Sequence, residues 1–153
     1  MKLLSYFKNG RPCYGLLTPD GVVNASARLG QTYPTLRNVL EAGALVDLEA
    51  IAFEPPDHSL NEIDFDLPLP NARKILCAGR NYPAYHEVQA DGRPEFPSIF
   101  ARLAHSFAPQ GHSLQLPKSC PTLDYEGELV VVIGTGGRHI QQEYALFHVM
   151  GYT

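Results

Sequence analysis

Tryptophan is absent from these 153 residues, cysteine occurs only three times, and charged side chains make up 18 % of the chain, below the ~25 % of an average globular domain. Each shortage excludes something. Cys13, Cys77 and Cys120 are odd in number and widely spaced; they suit neither a disulfide framework nor a zinc site, and the natural setting is a reducing cytoplasm. The 12 Lys and Arg residues form no cluster and are outnumbered by 16 Asp and Glu, so the basic stripe that replaces phosphate counterions in nucleic-acid binders is missing. Long hydrophobic runs are missing too. The longest, residues 129–133, falls far short of the ~20 residues of a membrane helix. Near the start, the apolar run over residues 3–7 is cut by Lys8, which makes a poor signal peptide.

What is plentiful is punctuation. Gly and Pro contribute 13 residues each and interrupt every stretch long enough for a coiled coil. Hydrophobic residues, at 44 %, exclude a disordered chain. Residues 2–7 and 14–17 read as strands joined at Asn9-Gly10, and Pro19-Asp20-Gly21 turns the chain into Val22-Val23; Asn-Gly and Asp-Gly supply the positive φ that tight hairpins need. Thr35 caps a helix with Leu36, Val39 and Leu40 at helical spacing and Gly43 as its stop, and residues 45–53 suit a second short helix. Pro55, Pro56, Pro68 and Pro70 then bracket an acidic stretch without periodicity, a linker or a crossing that hugs the surface. Strands are expected at 74–78, 98–102, 113–116 and 128–133, a short helix after Pro83, and an amphipathic helix over 141–150. This mixture points to a β-rich α+β chain rather than a doubly wound sheet. Its parts are a small N-terminal α/β domain with linker (1–70) and a second domain (71–153).

The sharpest chemical feature is Asp124-Tyr125-Glu126-Gly127-Glu128 running into the apolar residues 129–133. Residues two apart share a strand face, so three carboxylates can align, and they repel unless a cation or solvent intervenes. A hard divalent ion suits such oxygen ligands; an exposed acidic strand end is the alternative. Cys77, mid-strand, reads as a small buried hydrophobe, and Cys120 beside Pro121 lacks an activating His. Gly134-Thr135-Gly136-Gly137 has neither dinucleotide-loop spacing nor a Walker Lys and reads as a turn. His139 and His148 make no metal signature.

Two further segments join the acidic one. Residues 74–82 deliver Gly79-Arg80-Asn81-Tyr82 from a strand, and Pro97-Ser98-Ile99-Phe100-Ala101-Arg102 ends another strand in a cation. With the acidic stretch and the closing Gly151-Tyr152-Thr153, these pieces in this order resemble the fumarylacetoacetate hydrolase family. Residues 1–70, ending in Leu67-Pro68-Leu69-Pro70, resemble the small domain that precedes the catalytic domain in bacterial members. The resemblance implies that residues 71–153 are the first part of a mixed β-sandwich roll.

It also implies a chemistry. Members hydrolyse carbon–carbon bonds in β-diketo acids, decarboxylate oxo-acids or isomerise unsaturated dioates, as hydrolases, lyases or isomerases of aromatic catabolism. Mg²⁺, or else Mn²⁺ or Ca²⁺, sits on a Glu-x-Glu pair, which Glu126 and Glu128 match, and Asp124 would support the ligands without touching the ion. The metal stabilises an enolate. Arg80, Asn81, Tyr82 and Arg102 are the expected contacts of a small oxo-acid substrate, an arginine meeting its carboxylate. His86 and Glu87 are the expected catalytic pair. Family hydrolases place a His where Tyr85 stands here, with a Glu three residues on; His86 is one place later and Gln89 lies three beyond it, which tilts the expectation from hydrolysis towards decarboxylation or isomerisation. A third ligand, an Asp, follows the Gly-Tyr-Thr segment in the family. The expectation is therefore the N-terminal part of a longer enzyme, with a non-catalytic fragment of the same fold as the alternative; the resemblance implies a homodimer as one possible assembly.

Overall fold

Asn9 and Gly10 both take positive φ, 52° and 73°, and fold β1 (Lys2–Lys8) back on β2 (Arg11–Thr18) as an antiparallel pair with Leu3 opposite Leu16 and Ser5 opposite Tyr14. The structure is a computed structural model that describes residues 1–83, 96–120, 122–124 and 127–153. Its chain divides into two compact units, one made of Met1–Pro70 with Ala108–Thr153 and the other of Asn71–Phe107.

In the first unit β3 (Gly21–Asn24) and β4 (Asp64–Phe65) flank the hairpin, giving a four-stranded sheet in the order β3-β2-β1-β4. Strand alternation sends Tyr14, Leu16 and Val23 to one face and Leu4, Tyr6 and Val22 to the other. Both faces are apolar, so both need cover. Helices α1 (Ala25–Leu29), α2 (Leu36–Glu41) and α3 (Leu45–Ile51) cover the first, packing Leu36, Val39, Leu48 and Ile51 against it. α2 begins where the capping residues say it should. Thr35 Oγ1 accepts from the Asn38 N–H at 3.3 Å, while Asn38 Oδ1 accepts from the Thr35 N–H at 3.1 Å.

The second face is covered by the proline-bracketed crossing, with Ile63 buried on it and Phe65 packed alongside. Backbone pairing fixes the crossing to β3: the Val22 N–H donates to the His58 carbonyl at 2.8 Å and the Asp57 N–H to the Val22 carbonyl at 2.9 Å. Gly21 permits this approach, since a Cβ there would lie 2.4 Å from the His58 carbonyl oxygen. Arg28 of α1 reinforces it through ion pairs of 2.7 Å to both Glu54 and Asp57. For Asp57 burial acts upwards on the carboxyl pKa, but hydrogen bonds from Arg28 and the Asn24 N–H leave it below its usual value.

The remainder of this unit carries β7 (Val131–Ile133) and β8 (Val149–Tyr152), an antiparallel pair with an irregularity at Val132/Ile133, joined through a 3₁₀ helix over Gln142–His148. Three expectations change here. The expected strand at 128–133 has regular pairing only from Val131, with a further backbone pair at Val130. The expected α-helix over 141–150 is a 3₁₀ helix that gives way to β8 at Val149. Residues 113–116 form no strand. The apolar residues Leu129, Val130, Val131 and Ile133 are 45–64 % exposed.

The second unit holds β5 (Leu76–Gly79) and β6 (Ser98–Ala101), antiparallel with Gly79 opposite Ser98 and Cys77 opposite Phe100. The helix expected after Pro83 lies outside the described residues.

Candidate functional site

β5 ends at Gly79 and passes directly into Arg80, whose φ of 53° places a side-chain-bearing residue in the left-handed region. That conformation costs an L-residue about 1–2 kcal/mol, and strain of this kind collects at functional positions. Arg80, Asn81 and Tyr82 follow one another on this turn, all exposed. A planar cation, a carboxamide and a phenol thus stand at one end of the sheet, a donor set suited to a carboxylate.

Arg102 comes from the other end. Its N–H donates to the Ile75 carbonyl at 3.0 Å, prolonging the β5–β6 ladder by one residue. Since Gly79 pairs with Ser98, the Arg102 backbone stands about 14 Å along the strand from the level of Gly79, where the Arg80 turn begins, at ~3.4 Å per residue. Its side chain does not follow the strand outwards. The guanidinium carbon lies 5.4 Å from the centroid of the Phe100 ring, in cation–π range. That ring in turn reaches Gly79, where an added Cβ would meet Phe100 Cε1 at 3.3 Å. Gly79 and Phe100 both lie in the sequence motifs, but neither is given a role there. An aromatic two residues before an arginine on a strand, across from a glycine, is the signal that could have found them.

The acidic stretch belongs to the first unit. Asp124 and Glu128 are exposed, and Glu128 stands two residues before Val130. Val130 exchanges two backbone hydrogen bonds with Thr153, at 2.9 and 3.0 Å. Glu126 lies outside the described residues, as do His86 and Glu87. Among the described residues, no group of three or more His, Cys, Asp or Glu comes together. In sequence, this stretch offers side-chain oxygens and no nitrogen or sulfur, which fits a hard divalent cation better than a thiophilic one. No helix among the described residues is long and apolar enough to cross a membrane.

Known proteins resemble the chain over most of its length. The family model described as fumarylacetoacetate (FAA) hydrolase C-terminal matches residues 74–153. The human protein named oxaloacetate tautomerase FAHD2A, mitochondrial, is 34 % identical over 148 residues, covering 93 % of this chain and 47 % of its own length. The Bacillus subtilis (strain 168) oxaloacetate tautomerase YisK is 37 % identical over 101 residues, 63 % of this chain and 33 % of its own. Among solved structures, the fumarylacetoacetate hydrolase of Exiguobacterium antarcticum matches with a TM-score of 0.69 at 27 % identity, covering 99 % of this chain and 53 % of that one. A protein from Mycobacterium smegmatis described as a putative HpcE matches with a TM-score of 0.70 at 26 % identity, covering 97 % and 52 %. The chain spans about half the length of the human relative and of both solved structures. With its family segment, its Gly-Arg-Asn-Tyr turn and this likeness over nearly its whole length, the chain belongs to the fumarylacetoacetate hydrolase family.

Proposed function

We propose that this chain carries substrate- and metal-binding residues of an isomerase that interconverts the keto and enol forms of a small 2-oxo-dicarboxylate such as oxaloacetate. The observation that carries this reading is the 34 % identity, over 93 % of the chain, to a protein named as an oxaloacetate tautomerase. Chemistry favours the same choice. Hydrolysis of a carbon–carbon bond needs a water activated by a well-placed base, whereas tautomerisation only moves a proton between C3 and the oxygen on C2. The one-residue displacement of His86 and the Gln at position 89 matter less to such a transfer.

Each residue then has a task. Arg80 receives one substrate carboxylate in its two-pronged fork, with Asn81 and Tyr82 donating beside it. Arg102 meets the second carboxylate. His86, with Glu87 next to it in sequence, takes the C3 proton and delivers a proton to the oxygen on C2, and moves it back along the same path in the reverse direction. Glu126 and Glu128 would hold a divalent cation, Mg²⁺ or alternatively Mn²⁺ or Ca²⁺, which supplies Lewis-acid polarisation of the C2 carbonyl when bound. In longer relatives a further carboxylate after the Gly-Tyr-Thr segment would complete that set.

A second reading is that the 153-residue chain alone is a non-catalytic part of such an enzyme. It is favoured by the coverage of only 47 % of the human relative and by the exposure of Leu129, Val130, Val131 and Ile133. The deciding experiment follows decay of the enol absorbance of oxaloacetate with Mg²⁺ and with EDTA. It compares the chain with any longer polypeptide that contains it. Metal-dependent acceleration by the chain supports the first reading, and acceleration by the longer polypeptide alone supports the second. No acceleration by either overturns the tautomerase assignment, and acceleration that survives EDTA overturns the metal's part in it.

A further inference from the structure

The two arginines assigned to substrate start from opposite ends of a short sheet, yet the Arg102 side chain turns back along it. Phe100 and Arg102 are two residues apart and therefore share a face, with Cys77 and Gly79 of β5 on the same face across the ladder. Gly79 has no Cβ, and the Phe100 ring occupies the space beside it, with Cε1 3.3 Å from where a Cβ would be. The ring leans towards the Arg80 end of the sheet, and the Arg102 guanidinium lies over it at 5.4 Å. The outcome is a row along one face: Gly79, the ring, then the cation.

We infer that Phe100 is a positioning residue that draws the positive charge of Arg102 towards the Arg80–Tyr82 turn, so that this face discriminates 2-oxo-dicarboxylates from 2-oxo-monocarboxylates. The inference rests on the assignment of both arginines to substrate made above. Without the ring, Arg102 is a flexible side chain with many rotamers, and its charge spreads away from the turn. With it, the cation has a flat, weakly hydrated surface to rest on, a role that guanidinium fills better than ammonium. Gly79 is part of the device, because a methyl group at that position pushes on the ring edge.

The test compares binding of oxaloacetate and pyruvate in the presence of Mg²⁺ by calorimetry, for the parent chain and for Phe100→Leu, Phe100→Tyr and Gly79→Ala. Loss of a cation–π contact of ordinary strength predicts that Phe100→Leu weakens oxaloacetate binding about fivefold. Pyruvate affinity should stay unchanged, Phe100→Tyr should restore the preference, and Gly79→Ala should resemble Phe100→Leu. A purely structural role would move both ligands together. Equal weakening of both ligands, or no change in either, overturns the inference while leaving the function standing. A parent chain that binds neither oxo-acid overturns the assignment of both arginines to substrate in this chain, and the inference with it.

Discussion

Val130 and Thr153 exchange both backbone hydrogen bonds, 2.9 Å from the Val130 N–H and 3.0 Å from the Thr153 N–H, which makes them one more antiparallel pair beyond Val131 and Tyr152. The register has a direct consequence for the acidic stretch. Residues joined after Thr153 in a continuing strand would run back past Leu129 and Glu128, bringing any carboxylate they carry beside Glu128. Under the proposed ligand assignment, a metal set shared by the two strands would be fixed by register rather than by loop folding.

The chain of 153 residues should therefore bind Mg²⁺ only weakly, with a dissociation constant on the order of millimolar, because an ion held by few carboxylates keeps most of its water. Glu128→Gln should weaken it about tenfold further, as one charged ligand of this hard ion becomes neutral. Isothermal titration measures both. Micromolar affinity in the chain alone, or indifference to Glu128→Gln, contradicts the ligand assignment.

Arg80 separates backbone strain from charge. Its φ of 53° suits glycine, so Arg80→Gly should be more stable than Arg80→Ala by roughly 1 kcal/mol, the left-handed penalty less glycine's extra freedom in the unfolded chain. Both variants remove the guanidinium, so both should weaken oxaloacetate binding equally, by about tenfold for a charge-assisted pair. Urea denaturation and calorimetry on the two variants check the two halves separately. An Ala variant as stable as the Gly variant would show that the conformation is not strained.

Glu62 gives the first unit an acid-sensitive contact. The Ser59 N–H and hydroxyl donate to its carboxylate at 2.8 and 2.7 Å, and Lys8 does so at 3.1 Å. Those donors, the Ser59 N–H foremost, hold its pKa at about 2 against the usual 4.5. A carboxyl depressed in the folded state stabilises that state fully above its unfolded pKa and loses the contribution as pH falls through the folded one. Stability should thus decline between about pH 4.5 and about pH 2, and Glu62→Gln should flatten that decline. The urea midpoint followed against pH reads this out; an unchanged profile in the variant removes Glu62 from the account.

Local signals were readable where local physics decides. Asn9-Gly10 places its turn because those residues tolerate positive φ, and Thr35 starts α2 because its side chain and that of Asn38 satisfy each other's backbone N–H groups. The five-residue α1 escaped notice, being too short to show a periodicity, although Asn24 caps it through Oδ1 at 3.0 Å from the Ala27 N–H. The turn carrying Arg80, Asn81 and Tyr82 was legible as a motif, while the seating of Arg102 on Phe100 was not, because it depends on Gly79 of another strand.

By itself the sequence determined the family, the hairpin, the capped helix and the residue types that chemistry would use, since each depends on neighbours in the chain or on a short motif. Only the tertiary structure decided that the proline-bracketed crossing is a covering layer with its own strand. It also decided that residues 149–152 leave the helix to pair with β7, and that Arg102 folds back towards the turn that bears Arg80. These outcomes depend on partners far away in sequence: a sheet with two apolar faces must find cover for both, and a strand exists only where another backbone satisfies its N–H and C=O groups.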